Sequence, residues 1–547
     1  MAPDPFSRNR MSEIQKSEEL ITLTIDGMEV SVPKGSTILQ AAEVLGERIP
    51  HYCYHPGLSA PAQCRLCLVE VEGMPKLQPS CVAQVQEGQV VHTQSEKATR
   101  MRTGVLEFYL ANHPLDCPIC DQSGECGFQD YVHAEGPRRG RSREPKRVFG
   151  RDDFGGDVLF YGDRCVMCTR CVRFMNEMAQ DPRLTVVERG NRSVIDTFFE
   201  EGVEGSPYAG NIVDICPVGA LVSKDFLHKA RAWDLDRTPS ICPNCSQGCN
   251  IDLHVRDNLV QRLKPRANLE VNQYWMCDYG RHRYEWMNRG DRLEAPLARS
   301  AEGTRAHDWK ELLAELAAAL EEAGGEVRAV ASPFASTEDL AALRRLVDAL
   351  GGGTIVYRAP RAAEEVPLPG FPKLVRRQEL APNERAARML GMERVGNARG
   401  EGGLEEVAGH NGVVIVLGDE LADQGEDFGS AARLFVYLGA HPSDAASRAR
   451  YLLPVSLFSE QEGTFVNHER RVQRFWPGIH APGMARPAWH VLGQLTGALK
   501  DVDAPQSAAA AFALAAAALP ELGGLSYEVI GTRGALLNDP LPLPAAR

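Results

Sequence analysis

The chain has 547 residues, 24% of them charged, and a formal net charge of -13 at pH 7. The length allows about three to five domains, and the composition is that of a globular protein with sizeable cores to bury. The acidic balance argues against a general nucleic-acid binder, which carries a basic excess, and no run of about 18 apolar residues predicts a transmembrane helix.

In chain order, the opening MAPDPFSRNR is polar and reads as vector-derived. Residues 1–10 are therefore left out of the fold, with Met11 the expected natural start and no signal peptide expected. ITLTI and MEVSV flank Asp26-Gly27, a two-residue hairpin turn. Thr37 and Gln40 form a capping-box pattern, and a helix is predicted to run to Gly46.

Next come the cysteines, all fifteen of them between Cys53 and Cys277. An oxidising compartment does not crowd them so. The first group is Cys53, Cys64, Cys67 and Cys81; the second is Cys117, Cys120 and Cys126, with His113 four residues ahead. The third is Cys165, Cys168, Cys171 and the remote Cys216, followed by Pro217; the fourth is Cys242, Cys245, Cys249 and Cys277. Adding His113 to the fifteen cysteines fills four tetradentate sites with nothing left over. Four thiolates hold zinc as well as iron, so a zinc-stabilised assembly scaffold is one reading. C-x2-C-x2-C with a distant Cys-Pro is instead the local pattern of [4Fe–4S] binding. Arg65 and Arg170 stand among these ligands, either as charges that favour a reduced cluster or as solvated surface charges. GPRRGRSREPKRVFGRDDFGG, residues 136–156, is a basic connector that reads equally as a solvated loop or a docking strip.

After Gly290, helices alternate with buried strands, the pattern of a parallel α/β sheet. Asp308 caps a helix carrying Trp309, Leu312, Leu313, Leu316 and Leu320 on one face; VRAVA, TIVY, VVIVLG and LFVYLG are strands; and a helix carrying Leu340, Leu343, Leu346, Val347 and Leu350 closes at Gly351–Gly353. AAAAFALAAAAL, residues 508–519, is too short to span a membrane; Ser507 can cap it and Pro520 end it, so a surface-docked helix is expected. No Walker A motif and no convincing dinucleotide fingerprint occurs.

The runs HYCYHPGLSAPAQCRLCLVEVEG, HPLDCPICDQSGECGFQD, GDRCVMCTRCVRF and DICPVGAL occur in this order. Together they resemble the large iron–sulfur subunit family of NADH:quinone oxidoreductase, respiratory complex I (the 75 kDa subunit). RLEAPLARS and YLLPVSLFSEQEGTFVNHERRVQ resemble pieces of the molybdopterin oxidoreductase fold.

The resemblance implies a multi-domain α+β and α/β protein. Its expected parts are a β-grasp [2Fe–2S] ferredoxin domain (20–97), a His/Cys3 [4Fe–4S] segment (98–140) and a ferredoxin-like [4Fe–4S] domain (141–236). A [4Fe–4S] domain of the molybdopterin oxidoreductase type (237–292), a shortened α/β domain of that fold (293–500) and an Ala/Pro-rich tail (501–547) follow. It implies one [2Fe–2S] cluster on the first group and [4Fe–4S] clusters on the other three, about 14 iron atoms in all. The fourth cluster is expected off the main electron path. No molybdenum or pterin is expected, because no cysteine follows Cys277. The implied function is an electron relay from a flavin-bearing, NADH-oxidising partner towards quinone-reducing subunits, with no substrate site or catalytic residue of its own. The implied place is the peripheral arm on the cytoplasmic face of a membrane. A relay subunit of a NAD-linked hydrogenase or formate dehydrogenase is the redox alternative.

Overall fold

The computed structural model describes residues 19–537; the expected vector-derived tail lies outside them. The chain divides into two units. Unit 1 holds the described residues up to Leu235 together with Ala267–Asp278 and Leu368–Lys373, and unit 2 holds the remainder.

Unit 1 begins with the predicted hairpin. β1 (Leu20–Ile25) pairs antiparallel with β2 (Met28–Pro33) across Asp26 and Gly27, both at positive φ, as a tight primed turn requires. Thr37 caps α1 (Ile38–Val44) in a full capping box with Gln40, and Gly46 (φ +80°) turns the chain away. β3 (Leu68–Val71), β4 (Gln78–Pro79) and β5 (Val90–His92) complete a sheet of order β2-β1-β5-β3-β4. Leu23, Ile25, Val32, Ile38, Leu39 and Val69 form its core, in which Cys67 and Cys81 are also buried.

Ser95 caps α2 (Glu96–Leu110), and α3 (Gly127–Glu135) packs beside it. The fully buried Arg102 joins the two helices: it pairs with Glu135 and donates to the Thr93 carbonyl at 2.6 Å. A buried cation needs such partners. β6 (Arg151–Asp153), β7 (Val158–Tyr161) and β8 (Leu221–Ser223) form a small antiparallel sheet. The basic connector is partly tied to its own unit, since Arg141 pairs with Glu107 and the Arg147 amide donates to Asn112.

Unit 2 contains β9 (Asp236–Ile241), β10 (Asn250–Arg256) and β11 (Leu259–Pro265) as an antiparallel meander. Its main sheet is eight-stranded. β12 (Leu297–Ser300) and β13 (Gly303–Ala306) form one antiparallel edge. The parallel strands are β14 (Val327–Ala331), β15 (Gly353–Tyr357), β16 (Glu393–Arg394), β17 (Val413–Leu417), β18 (Leu434–Gly439) and β19 (Tyr451–Pro454). Across the sheet they run β19-β18-β17-β14-β15-β16. This is the doubly wound 3-2-1-4-5-6 order, reached without the Gly-rich fingerprint whose absence the sequence makes plain.

Asp308-capped α4 (Trp309–Ala323), Ser336-capped α5 (Thr337–Ala349) and α6 (Ala488–Lys500) bury their apolar sides in one core. Ser507-capped α7 (Ala508–Ala518) joins them through Phe512 and Ala515, so the expected surface helix has one face fully buried.

Glu338 of unit 2 is buried and Glu420 is half-buried. Burial pushes Glu338 and Glu420 up to about 7. Keeping them neutral adds stability that is whole below pH 4.5 and is lost as the pH rises through 7, on the order of 3 kcal/mol for each. Glu338 accepts from Thr464 and Tyr527, whose hydroxyls can reverse to meet an amide. Glu338→Gln is therefore expected to gain thermal stability over wild type at pH 8 and little at pH 5. An equal difference at both pH values, read by thermal denaturation, would contradict this.

Candidate metal centres

The first group lies in the loop between α1 and β3 and just beyond β4. All four cysteines are buried. Ala62 (φ +52°) and Arg65 (φ +57°) bend the loop through left-handed backbone, a conformation that costs non-glycine residues energy and marks functional loops. The thiols pair as Cys53 with Cys64 and Cys67 with Cys81. The bond from Cys53 pulls Cys64 down and pushes Cys53 up; Cys81 and Cys67 divide in the same way, Cys67 down and Cys81 up. The Tyr52 amide also points at the Cys64 Sγ, 3.5 Å away. Two buried thiol pairs suit a two-iron cluster with two thiolates on each iron. Arg65 itself is exposed.

His113 follows the C-terminus of α2, its amide bonded to the Tyr109 carbonyl (3.1 Å). The ring meets Phe128 of α3 edge-on at 4.6 Å. Burial, with Lys146 and Arg164 adding to it, pulls His113 down to about 4. The imidazole is therefore neutral at pH 7, the form that ligates. Its Nδ1 is buried and has no hydrogen-bond partner among the described residues. An orphaned ring nitrogen in such a place is costly and fits a metal ligand. Cys120 and Cys126 are buried, and Cys117 is exposed. Burial pushes the Cys126 thiol up to about 11, a cost that bound iron would remove by taking the thiolate.

The third group carries the plainest cavity. Cys165, Cys168, Cys171 and Cys216 stand around a cavity lined also by Phe160, Ile195, Val218 and Leu221. Met167 (φ +51°) and Thr169 (φ +59°) alternate with the three local cysteines and bend the loop around the cavity. Burial pushes all these thiols up, Cys216 to about 12. Four thiols around one cavity suit a cluster with ligands at its corners. Among the described residues, no three such side chains meet at a single ion-sized point.

Of the fourth group, Cys242, Cys245 and Cys249 belong to unit 2, in the turn joining β9 to β10, where the Cys242 amide bonds the Cys249 carbonyl at 2.8 Å. Cys277 is buried and belongs to unit 1.

Several neighbours of these groups were not singled out from sequence. Gly219, three residues after Cys216, lies against the second group: a Cβ there would sit 2.2 Å from the Cys120 Sγ. Arg164 is buried, bonds Asp116 at 3.0 Å and stacks on Tyr161. Tyr52, beside Cys53, packs edge-on against Tyr109 and Phe128 and so joins the surroundings of the first and second groups. Gly219 stands inside the DICPVGAL run, but nothing local in that run points to Cys120.

Family models match along the chain. Residues 18–96 match a 2Fe-2S iron-sulfur cluster binding domain, and 102–141 the NADH-ubiquinone oxidoreductase-G iron-sulfur binding region. Residues 155–222 match the ferredoxin-like domain of NADH-quinone oxidoreductase subunit 3. Residues 235–289 match the molybdopterin oxidoreductase Fe4S4 domain, and 374–498 molybdopterin oxidoreductase. With the cysteine-lined sites, these matches define an iron–sulfur protein of mixed α/β structure, with ferredoxin-type and molybdopterin-oxidoreductase-type parts.

Among curated proteins, the mitochondrial NADH-ubiquinone oxidoreductase 78 kDa subunit of Candida albicans is 42% identical over 354 residues, 64% of this chain and 49% of its own length. An NADH-quinone oxidoreductase subunit of Rickettsia felis is 39% identical over 334 residues, 61% of this chain and 49% of its own. Over this matched part, the chain is similar to the large iron–sulfur subunits of NADH:quinone oxidoreductase; it spans about half the length of the curated relatives it matches. A solved chain of an NAD+-reducing [NiFe]-hydrogenase in the H2-reduced state is 31% identical, covering 38% of this chain and 90% of its own at a TM-score of 0.35.

Proposed function

We propose that the chain relays electrons as an iron–sulfur subunit of an NADH:quinone oxidoreductase, between a flavin-bearing, NADH-oxidising subunit and the quinone-reducing subunits. In this reading Cys53, Cys64, Cys67 and Cys81 hold a [2Fe–2S] cluster. His113, Cys117, Cys120 and Cys126 hold one [4Fe–4S] cluster, Cys165, Cys168, Cys171 and Cys216 a second, and Cys242, Cys245, Cys249 and Cys277 a third. The proposed setting is a peripheral arm at the cytoplasmic face of a membrane; no described helix is long and apolar enough to cross one.

The observation that carries the reading is the closeness of the ligand loops within unit 1. Gln63, beside Cys64, bonds the Met167 carbonyl between Cys165 and Cys168 (2.9 Å), and Gly219, beyond Cys216, lies against Cys120. Centres so near each other suit electron exchange, whereas independent structural zinc sites have no need of it. A bound cluster takes up and returns one electron at a time. The protein's own contribution is burial, which excludes water, and fixed charge, which tunes the ease of reduction. His113, as a neutral ligand, subtracts one negative charge from its centre and makes reduction easier.

The test is low-temperature paramagnetic resonance of the anaerobically prepared, dithionite-reduced chain, with iron and zinc measured on the same sample. One [2Fe–2S] signal with several fast-relaxing [4Fe–4S] signals is expected. Stoichiometric zinc without any signal would refute the relay.

A further inference from the structure

The loops of the first and third groups are joined by a belt of polar contacts that neither ligand set requires. Arg173 follows Cys171 by two residues. Its Nη2 donates to the Cys53 carbonyl (2.5 Å) and the Cys168 carbonyl (3.3 Å), and its Nη1 to the Ser59 carbonyl. One guanidinium thus holds the backbone of a ligand from each group. Arg170 donates to the Ile215 carbonyl at 3.0 Å, next to Cys216, and to the Tyr54 carbonyl, next to Cys53. Gln63 bonds the Met167 carbonyl and, at 3.0 Å, the Thr169 hydroxyl; Ser59 donates its amide to Glu177 at 2.9 Å. The partners that join one loop to the other lie 104 to 120 residues apart in the chain.

We propose that Arg173, seconded by Arg170, is a positioning residue for electron exchange between the first and third centres: its planar fork fixes the two ligand loops against each other and sets positive charge between them. The proposal rests on the relay reading. A guanidinium presents several donors in one rigid plane and stays charged, so it can grip carbonyls on both loops, as an ammonium cannot. Its charge favours an added electron nearby in a low-dielectric interior, and Glu177 offsets part of it. The transfer served moves one electron, oxidising one centre and reducing the other; no bond changes and no proton or co-reactant is needed.

The test compares the full chain, loaded anaerobically with iron and sulfide, as wild type, Arg173→Met and Arg173→Lys. It reads iron content, the midpoint potential of the [2Fe–2S] centre, and the enhancement of that centre's electron-spin relaxation by its neighbour. Arg173→Met is expected to retain its iron, to make the [2Fe–2S] centre roughly tenfold harder to reduce, about 59 mV for a one-electron couple, and to weaken the enhancement. Arg173→Lys should recover most of the potential but not the enhancement. Should Arg173→Met fail to load, Gln63→Leu, which breaks one contact of the belt without changing charge, is expected to weaken the enhancement at unchanged potential; no change there would overturn the proposal. Wild-type potential and relaxation in a fully loaded Arg173→Met would overturn it and leave the relay standing. Wild-type protein without reducible centres would overturn both.

Discussion

Gly219→Ala is expected to remove the histidine-bearing centre from the paramagnetic spectrum while leaving the [2Fe–2S] signal in place. The new Cβ would stand 2.2 Å from the Cys120 Sγ and 3.1 Å from the Gln122 Cβ, well inside van der Waals contact. Cys120 is buried and is a proposed ligand of its group, so relief must come from moving that sulfur or from shifting the backbone behind Cys216. Overpacking of this kind costs about 1–3 kcal/mol, which a domain of this size survives, but a displaced ligand does not hold its iron. Gly219 is not at positive φ, so the effect is steric and not one of backbone conformation. Gly104→Ala is the control: it lies mid-α2, meets nothing within 4 Å, and should be neutral or add about 0.4–1 kcal/mol. An unaltered set of four signals in Gly219→Ala would show that Cys120 is not a ligand or that the loop yields freely.

His113→Ala should lose or convert the same centre, with a fall of up to about four irons per chain, and leave the other signals unchanged. The ring offers a neutral, buried nitrogen lacking a partner among the described residues, and alanine offers no donor at all. His113→Cys separates ligation from packing. A thiolate restores the fourth ligand but adds one negative charge, so the centre should return and become harder to reduce, on the order of 100 mV by comparison with histidine-for-cysteine exchange in two-iron centres. A spectrum of His113→Ala that matches wild type, signal for signal, would rule out ligation. Wild type, the reference for both variants, is best read at pH 7 or above, because its ring takes up a proton in the unfolded chain near 6.5 and in the folded chain only near 4. Stability from keeping it neutral is whole above pH 6.5 and is lost as the pH falls through about 4.

Much of the candidate site is legible along the chain because cluster ligation is largely a local geometry. Cys64 and Cys67, or Cys165, Cys168 and Cys171, lie on single tight loops whose spacing alone brings their sulfurs to one side. His113 is proposed as a ligand by counting, since it fills the one gap among the tetrads. The hairpin at Asp26-Gly27, the capping box at Thr37 and the caps at Asp308 and Ser507 are equally local, each set by hydrogen bonds within four residues. The buried runs VRAVA, TIVY, VVIVLG and LFVYLG declare themselves strands by composition.

What those runs do not carry is their order. Strands buried on both faces present the same apolar texture wherever they stand in the sheet, so the 3-2-1-4-5-6 sequence of unit 2 emerges only when the connecting helices pack. The same holds for the contacts that matter most to the centres. The approach of Gly219 to Cys120, the grip of Arg173 on the carbonyls of Cys53 and Cys168, and the bond from Gln63 to Met167 join residues roughly a hundred positions apart. By itself the sequence picked out the side chains proposed to bind iron, because ligand spacing is a property of short loops. Only the tertiary structure decided which centres are neighbours and what charge lies between them, because those depend on how distant loops are pressed together by the burial of the cores around them.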